Sequence, residues 1–341
     1  MAVRVRLANL TADRERLVEA FALWLTRDST DDRFDWLYRR NPAGDALAWL
    51  LCSEQGVVGA CAAFPRRLFA GGGIVRAYVL GDFCVKPAYR TLGPAIELQR
   101  ACLAEMRAEG TAWFDFPSTP MLAVYARLGI RPAEPVTRFA KLLRAERKII
   151  GIVKSANVAK SLSSVANPLL AFRDQRRNAT KSCTIDFHRG ACGEEFTSLA
   201  EAASMRYGIC TWRSAEYLNW RYVAHPLQRH MILTARRGGR LLGYAVFTNR
   251  NQDATLVDWF GAEDSALTAL LLELTAHLRR QGVATLSAVS QPSFPHAGLL
   301  RDLGFRPRET SPLVSWTPPV LPEAAQAAGQ NWFLSYGDRD S

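Results

Sequence analysis

The sequence predicts an α/β protein built from two tandem copies of one mixed-sheet fold, joined by a basic helical linker. Two observations support this prediction. The chain has 341 residues, whereas a single domain usually has about 100–200. Blocks in the first half also recur in order in the second half, and both halves show the same succession of strand and helix patterns. The matching blocks are 36–42 and 220–226, 57–64 and 241–247, 81–83 and 257–259, and 127–132 and 302–307.

Hydrophobic periodicity predicts the order β-α-α-β-β-β-α-β-α-β for each copy. The sheet is expected to be antiparallel at its start and to contain a βαβ unit later. The second copy repeats the pattern from about 184 to 316. In the first copy the predicted strands are 3–8, 46–52, 57–69, 74–85, 111–116 and 136–143, and the clearest helices are 12–25, 94–109 and 120–128.

These patterns divide the chain into a first domain (1–144), a linker (145–183), a second domain (184–317) and a Pro/Ala-rich tail (318–341).

The net charge is +11, and eleven basic residues but only two acidic residues lie between positions 138 and 181. Charge concentrated in this way argues against a nucleic-acid surface spread over the protein. Apolar positions in 145–172 recur at helical spacing, which favours a linker helix packed on both domains. The alternative is peripheral contact with an anionic membrane surface.

Other features point to a cytoplasmic protein without a metal. No apolar run is long enough to cross a membrane, and charged residues stand in the first 16 positions. The seven cysteines and five histidines lack the spacing of a zinc site or a disulfide framework. Each cysteine is therefore interpreted as a small core residue. We expect a reducing cytosol, with the inner face of the membrane as an alternative location.

The most informative segment joins the strand that ends at Val85 to the next helix. It contains Arg90-x-x-Gly93-x-Ala95, and Pro94 favours the first helical turn. Backbone N–H groups at a helix start lack internal partners and attract anions, and Gly93 permits close approach of the ligand. This loop suits a diphosphate. It matches neither the Walker loop nor the dinucleotide G-x-G-x-x-G pattern.

In its context this loop resembles the GNAT (GCN5-related) N-acetyltransferase superfamily. The family pattern is V-x-P-x-x-R-x-x-G-x-G/A, followed about thirty residues later by Y-x-x-x-G-F; here residues 85–95 and 125–130 match it, with Ile130 in place of Phe. The resemblance covers roughly residues 1–145. It implies acetyl-CoA or another acyl-CoA as co-substrate, with the pantetheine arm pairing like an added strand. The residues it implies for coenzyme binding are Phe83, Cys84, Val85, Arg90, Thr91, Leu92, Gly93, Pro94, Ala95 and Ser118.

The resemblance also implies catalytic candidates. Tyr125 takes the position of a tyrosine that protonates the departing thiolate. A phenol can donate this proton because it remains protonated at neutral pH. The alternative is that Tyr125 is an aromatic residue that fills the helix–sheet interface. A base is harder to assign. Asp82 and Asp115 lie on the strands beside the expected cleft, and we select Asp82, although its counterpart Asp258 favours a structural role.

The second copy departs from the pattern at the loop. Residues 262–266 contain neither arginine nor glycine, and Glu263 and Asp264 would repel a diphosphate at the helix start. Leu300 stands where the first copy has Tyr125. We therefore expect the second copy to keep the fold and to have lost coenzyme binding.

Together these features predict an N-acyltransferase that moves an acyl group from acyl-CoA to a primary amine. The acceptor is expected to be a small or carrier-linked amine, such as an amino sugar or a cell-envelope polysaccharide precursor. The tail motif Gly337-Asp338-x-Asp340 resembles tails of GNAT-like proteins of envelope polysaccharide synthesis. Two alternatives remain open: a peptidyltransferase that uses aminoacyl-tRNA, and a non-catalytic acyl-CoA-binding scaffold.

Overall fold

A computed structural model describes residues 3–146, 183–318 and 332–339, together with positions 149, 167, 168, 170, 172 and 174. The predicted linker 145–183 and the tail 318–341 therefore lie largely outside the described residues.

The elements of the first half follow the predicted order closely. A short helix, Asp31–Phe34, continues directly into a π-helical turn, Asp35–Arg39. The strands are β1 (Arg4–Leu7), β2 (Leu47–Ser53), β3 (Gly56–Ala70), β4 (Gly73–Val85), β5 (Ala112–Asp115) and β6 (Val136–Leu142), and the helices are α1 (Arg14–Trp24), α2 (Asp31–Phe34), α3 (Leu92–Ala108) and α4 (Thr119–Arg127).

The second half repeats this series and adds three short strands among the described residues. Its π-helical turn, Asn219–Val223, lies 184 positions after the first one. The strands are β7 (Thr184–His188), β8 (Ile209–Thr211), β9 (Met231–Arg237), β10 (Arg240–Arg250), β11 (Asp253–Gly261), β12 (Thr285–Ser290), β13 (Arg306–Ser311), β14 (Val314–Trp316) and β15 (Trp332–Phe333), and the helices are α5 (Glu194–Ala203), α6 (Ala215–Leu218), α7 (Asp264–Arg280) and α8 (Pro295–Asp302).

The strands form two mixed sheets of matching topology. The first has the order β1-β2-β3-β4-β5-β14, and the second has the order β7-β9-β10-β11-β12-β6-β13. Along these two paths only the pairs β4–β5 and β11–β12 are parallel. The short strand β8 joins the first sheet through β3, and β15 pairs with β8. The mixed α/β architecture predicted from the sequence is confirmed.

The sheets exchange strands, which the division at residue 144 does not anticipate. Strand β6, assigned from the sequence to the first domain, lies between β12 and β13 of the second sheet. Strand β14 in turn pairs with β5 of the first sheet. The strand predicted at 136–143 is present, but its assignment to the sheet of the first copy is wrong, because strand periodicity fixes which face is buried and says nothing about which sheet receives the strand.

The two π-helical turns contact each other through buried tryptophans. The indole N–H of Trp36 donates to the backbone oxygen of Trp220 (2.8 Å), and the indole N–H of Trp220 donates to that of Trp36 (2.9 Å). The two rings stack at 5.0 Å. This reciprocal contact gives the halves a local pseudo-twofold relation and explains the aromatic residues at offset 184.

Candidate coenzyme cleft and its counterpart

The first cleft opens where β4 and β5 separate. The strands pair in parallel from Ala77–Ala112 to Val79–Phe114, and no further pair follows. Beyond that point their ends enclose a cavity of about 570 Å³. The separation lies on the strand ends that the sequence predicts to pair with pantetheine.

Most of the predicted coenzyme residues are brought together around this cavity. Gly93 and Pro94 lie in the first turn of α3 and are not among the lining residues. The predicted residues that do line it are Asp82, Phe83, Cys84, Val85, Arg90, Thr91, Leu92, Ala95 and Ser118. Apolar neighbours that sequence reasoning did not select, including Trp24 and Leu25, line the same cavity.

The start of α3 fits an anionic ligand. The helix begins at Leu92 after the N-cap residue Thr91, whose side chain makes no capping hydrogen bond, and its first turn carries no carboxylate. A Cβ atom on Gly93 would meet nothing within 4 Å. Packing inside the chain therefore does not require this glycine, and the free space lies where unpaired N–H groups of a first helical turn attract anions.

The side chain of Arg90 lies across the end of β4. Its Nε donates to the backbone oxygen of Val85 (2.9 Å), and the guanidinium also reaches the backbone oxygen of Trp24 (3.4 Å). Arg90 is itself exposed. This cation therefore stands between the two parts of the predicted coenzyme site, the strand end and the helix start.

Asp82, the predicted base, is engaged by three donors. Both of its oxygens accept from Arg33 at 2.8 Å, and Oδ2 also accepts from the hydroxyl of Tyr38 at 2.7 Å. Burial and this carboxylate raise the pKa of Tyr38 well above its usual value. Asp258 is held in the same manner by Arg213 and Tyr244 in the second half. The shared arrangement is typical of a structural ion pair, and the role of Asp82 as a base remains a prediction.

Tyr125, the predicted acid, is fully buried and does not line the cavity. Its hydroxyl donates to Asp115 Oδ2 at 2.6 Å and accepts from Gln99 Nε2 at 3.1 Å. Burial and the nearby Asp115 carboxylate raise the pKa of Tyr125 well above 10. Both Asp115 and Gln99 line the cavity, so they connect the phenol to the cleft. Sequence reasoning did not select Gln99; a polar residue beside Leu98 on the buried face of α3 was the available signal.

Cys84 lines the cavity but is a poor nucleophile. Burial raises the pKa of its thiol to about 12, whereas the thiolate is the reactive form. Five of the seven cysteines are buried, as expected of small core residues.

The corresponding end of β11 is occupied by the chain itself. By the match of 81–83 with 257–259, Gly261 is the counterpart of Val85. The hydroxyl of Tyr207 accepts from the Gly261 N–H and donates to its carbonyl oxygen, both at 2.8 Å. The Tyr207 ring stacks on Phe260 at 4.2 Å. One side chain thus satisfies backbone groups that would otherwise be open to a ligand.

The C-terminal segment fills the same region. The ring of Phe333 lies 4.7 Å from that of Tyr207, 5.4 Å from Phe294 and 5.2 Å from His296. By the match of 127–132 with 302–307, His296 stands where Met121 lines the first cavity. Burial lowers the pKa of His296 to about 3, so the ring is neutral at neutral pH. The second cleft is therefore packed with aromatic rings.

The start of α7 carries acids that are already paired. Glu263 forms an ion pair with Arg237 at 3.0 Å, and Asp264 forms one with Arg206 at 2.7 Å. Loss of coenzyme binding by the second copy remains a prediction, which this charge and the packed cleft support.

The described residues hold no group of three His, Cys, Asp or Glu side chains arranged for a metal ion. None of the helices in those residues is both long enough and apolar enough to cross a bilayer.

The geometry agrees with known structures, although no protein-family model and no curated protein matches the sequence. A GCN5-related N-acetyltransferase from Anabaena variabilis superposes with a TM-score of 0.68 at 16% identity, covering 93% of this chain and 74% of the other. A probable N-acyltransferase from Enterococcus faecalis superposes with a TM-score of 0.68 at 13% sequence identity, covering 93% of this chain and 73% of the other. Saccharomyces cerevisiae N-myristoyltransferase with bound myristoyl-CoA superposes with a TM-score of 0.57 at 12% sequence identity, covering 97% of this chain and 89% of the other. The chain therefore has the fold of the GCN5-related N-acetyltransferases.

Proposed function

We propose that this protein is an N-acyltransferase that moves an acyl group from acyl-CoA, bound in the first cleft, to a primary amine. The observation that carries the proposal is the open cavity between the separated ends of β4 and β5, beside a helix start that can hold a diphosphate. The structural neighbours include N-acetyltransferases and a protein solved with myristoyl-CoA, which supports an acyl-CoA co-substrate.

Different residues around the cavity would contact different parts of acyl-CoA. The first-turn N–H groups at Leu92 and Gly93 would face the pyrophosphate, and the exposed Arg90 would add a charge-assisted contact. The separated backbone of Phe83–Val85 would pair with the amide groups of pantetheine. The thioester would then lie near Asp115 and Phe116, where the lining turns from β4 to β5.

We propose direct transfer without an acyl-enzyme. The amine nitrogen attacks the thioester carbon, a C–N bond forms, the C–S bond breaks, and the thiolate takes up a proton while the amine releases one. The high pKa of Cys84 argues against a covalent cysteine intermediate.

Tyr125 is proposed to deliver the proton to the leaving thiolate, with Asp115 and Gln99 positioning its hydroxyl. Its raised pKa keeps the phenol protonated at neutral pH, and a proton donor must be protonated to act. In this structure the hydroxyl donates to Asp115 and does not line the cavity, so transfer requires it to leave that carboxylate and become accessible from the cavity.

The acceptor is proposed to be a small or carrier-linked amine, with amino sugars and cell-envelope polysaccharide precursors as the first classes to test. The motif that suggested this class contains Asp338, which is buried against Arg213, so a structural role explains that residue equally well. Cytoplasmic location and membrane contact through 145–172 also remain proposals.

Calorimetry with acetyl-CoA, a long-chain acyl-CoA and tRNA tests the proposal, together with amine-dependent release of free thiol. We expect one acyl-CoA per chain and thiol release that requires an amine. Binding of tRNA without acyl-CoA would favour the peptidyltransferase. Binding of acyl-CoA without transfer to any amine in a broad panel would favour the scaffold and contradict catalysis.

A further inference from the structure

The C-terminal segment 332–339 is fixed in place by buried polar contacts. Asp338 is fully buried, accepts from the Thr211 hydroxyl at 2.6 Å and pairs with Arg213 at 3.2 Å. The amide and hydroxyl of Ser335 donate to the same carboxylate at 2.6 and 2.8 Å. The segment therefore belongs to the packed interior.

Arg221 extends this anchoring to the last described residue. Its guanidinium donates to the backbone oxygen of Gly337 at 2.9 Å and to that of Arg339 at 2.7 Å. A Cβ atom on Gly337 would collide with the Tyr222 hydroxyl, so the close approach of these two segments requires glycine here. These contacts fix the backbone position of Arg339.

The side chain of Arg339 packs on a residue that lines the first cleft. Its guanidinium lies over the ring of Phe116, with its central carbon 5.0 Å from the ring centroid, and over the ring of Tyr336 at 5.5 Å. Phe116 follows Asp115 directly and lines the coenzyme cavity. Arg339 therefore stands beside the place where the acceptor would meet the thioester.

Among the described residues Arg339 has no acidic partner. Its Nε atom is buried without a hydrogen-bond acceptor, and no described Asp or Glu forms an ion pair with it. Arg138, which like Arg339 interacts electrostatically with Tyr336, is by contrast paired with Glu309 at 2.5 Å. A guanidinium held between two aromatic rings with its N–H groups unused can bind a carboxylate or phosphate through two parallel hydrogen bonds.

We propose that Arg339 determines acceptor specificity by binding an anionic group, a carboxylate or a phosphate, on the amine that is acylated. This inference rests on the proposed acyltransferase function. It predicts that the acceptor carries a negative charge close to its amine, because Arg339 lies beside the cleft lining.

The test compares paired amines that differ in charge: glycine against glycinamide for the carboxylate, and phosphoethanolamine against ethanolamine for the phosphate. In the wild-type protein we expect kcat/KM to be at least about tenfold higher for one anionic member than for its neutral partner. In Arg339→Gln the KM for that anionic amine should rise about tenfold with little change in kcat. Arg339→Lys should retain part of the preference, because it keeps the charge and loses the planar fork.

Arg240→Gln, at the exposed first residue of β10, is the matched control and should leave the preference intact. Acetyl-CoA affinity measured by calorimetry separates the two proposals: absent binding in the wild type contradicts the acyltransferase itself. A preference that is absent in the wild type, or unchanged in Arg339→Gln, overturns the role of Arg339. Should none of the four amines be acylated, equal affinity of both proteins for the anionic amines in the presence of CoA overturns it as well.

Discussion

The two clefts of this molecule begin with the same backbone design and reach opposite states. In each half a parallel strand pair separates and a helix of 17 residues follows the first strand. At Val85 the strand end faces a cavity of about 570 Å³. At Gly261 the hydroxyl of Tyr207 occupies both backbone groups. The fold alone therefore provides only a place for a ligand, and the side chains at the strand end decide whether the place is free.

The contrast also shows how a repeat can change its role without changing its framework. Rings of Phe294 and Phe333 take the space of the second cleft, and paired acids replace the glycine-containing helix start. The C-terminal segment that fills this cleft also places Arg339 against Phe116, a lining residue of the first one. We interpret the second half as a support that completes the acceptor side of the first.

The largest expected effect comes from closing the open helix start. Gly93→Glu places a carboxylate in the free space where a diphosphate would lie, and like charges brought together cost several kcal/mol. We expect acetyl-CoA affinity to fall at least about a thousandfold by calorimetry, since about 4 kcal/mol corresponds to that factor.

Ser265→Glu is the control for this change, because Ser265 is also exposed in the first turn of the matching helix α7. It should leave acetyl-CoA affinity unchanged. An effect of Ser265→Glu equal to that of Gly93→Glu would remove the distinction between the clefts.

The paired aspartates give the next largest effect. Asp82→Asn breaks the buried ion pair with Arg33, and breaking a buried pair costs about 3–5 kcal/mol. Asp258→Asn removes one of the two buried carboxylates paired with Arg213, and Asp338 remains as the other. We expect both variants to lose free energy of unfolding, measured by urea denaturation, and to keep similar turnover per folded molecule. A drop in kcat of about a hundredfold confined to Asp82→Asn would instead establish Asp82 as the base.

Tyr125→Phe tests the chemistry of the first cleft. Removal of a general acid lowers turnover by roughly 10²–10⁴, so we expect kcat to fall about a hundredfold while acetyl-CoA affinity persists. Tyr78→Phe is the control, because Tyr78 is equally buried in the same cluster and its hydroxyl accepts from Arg76, away from the cavity. Full activity in Tyr125→Phe would exclude the role.

The smallest effect distinguishes the clefts by acidity. His296 has a pKa of about 3 in the fold against 6.5 when free, so the unfolded chain takes up a proton first and stability falls as pH drops below 6.5. His296→Met copies Met121 and removes this loss. The variant should gain about 2 kcal/mol relative to wild type between pH 8 and pH 5, measured by denaturation at each pH. Parallel pH profiles would contradict the burial of a neutral histidine in the second cleft.

Much of this arrangement was predictable because it is local in sequence. Alternating apolar residues gave the strands, and the loop from Arg90 to Ala95 has the composition that a phosphate-binding helix start requires. The exchange of β6 and β14 was not predictable, since an apolar strand fits either sheet. The docking of Phe333 and the pairing of Asp82 with Arg33 depend on contacts between residues 49 or more positions apart, which periodicity does not contain.

A crystal structure of the protein with CoA would show which of the two clefts binds the coenzyme. We expect one CoA per chain, with its pyrophosphate at the N–H groups of residues 92–93 and its pantetheine along Phe83–Val85, while Phe333 stays in the second cleft. CoA found beside Gly261, or in neither cleft at saturating concentration, would contradict this expectation.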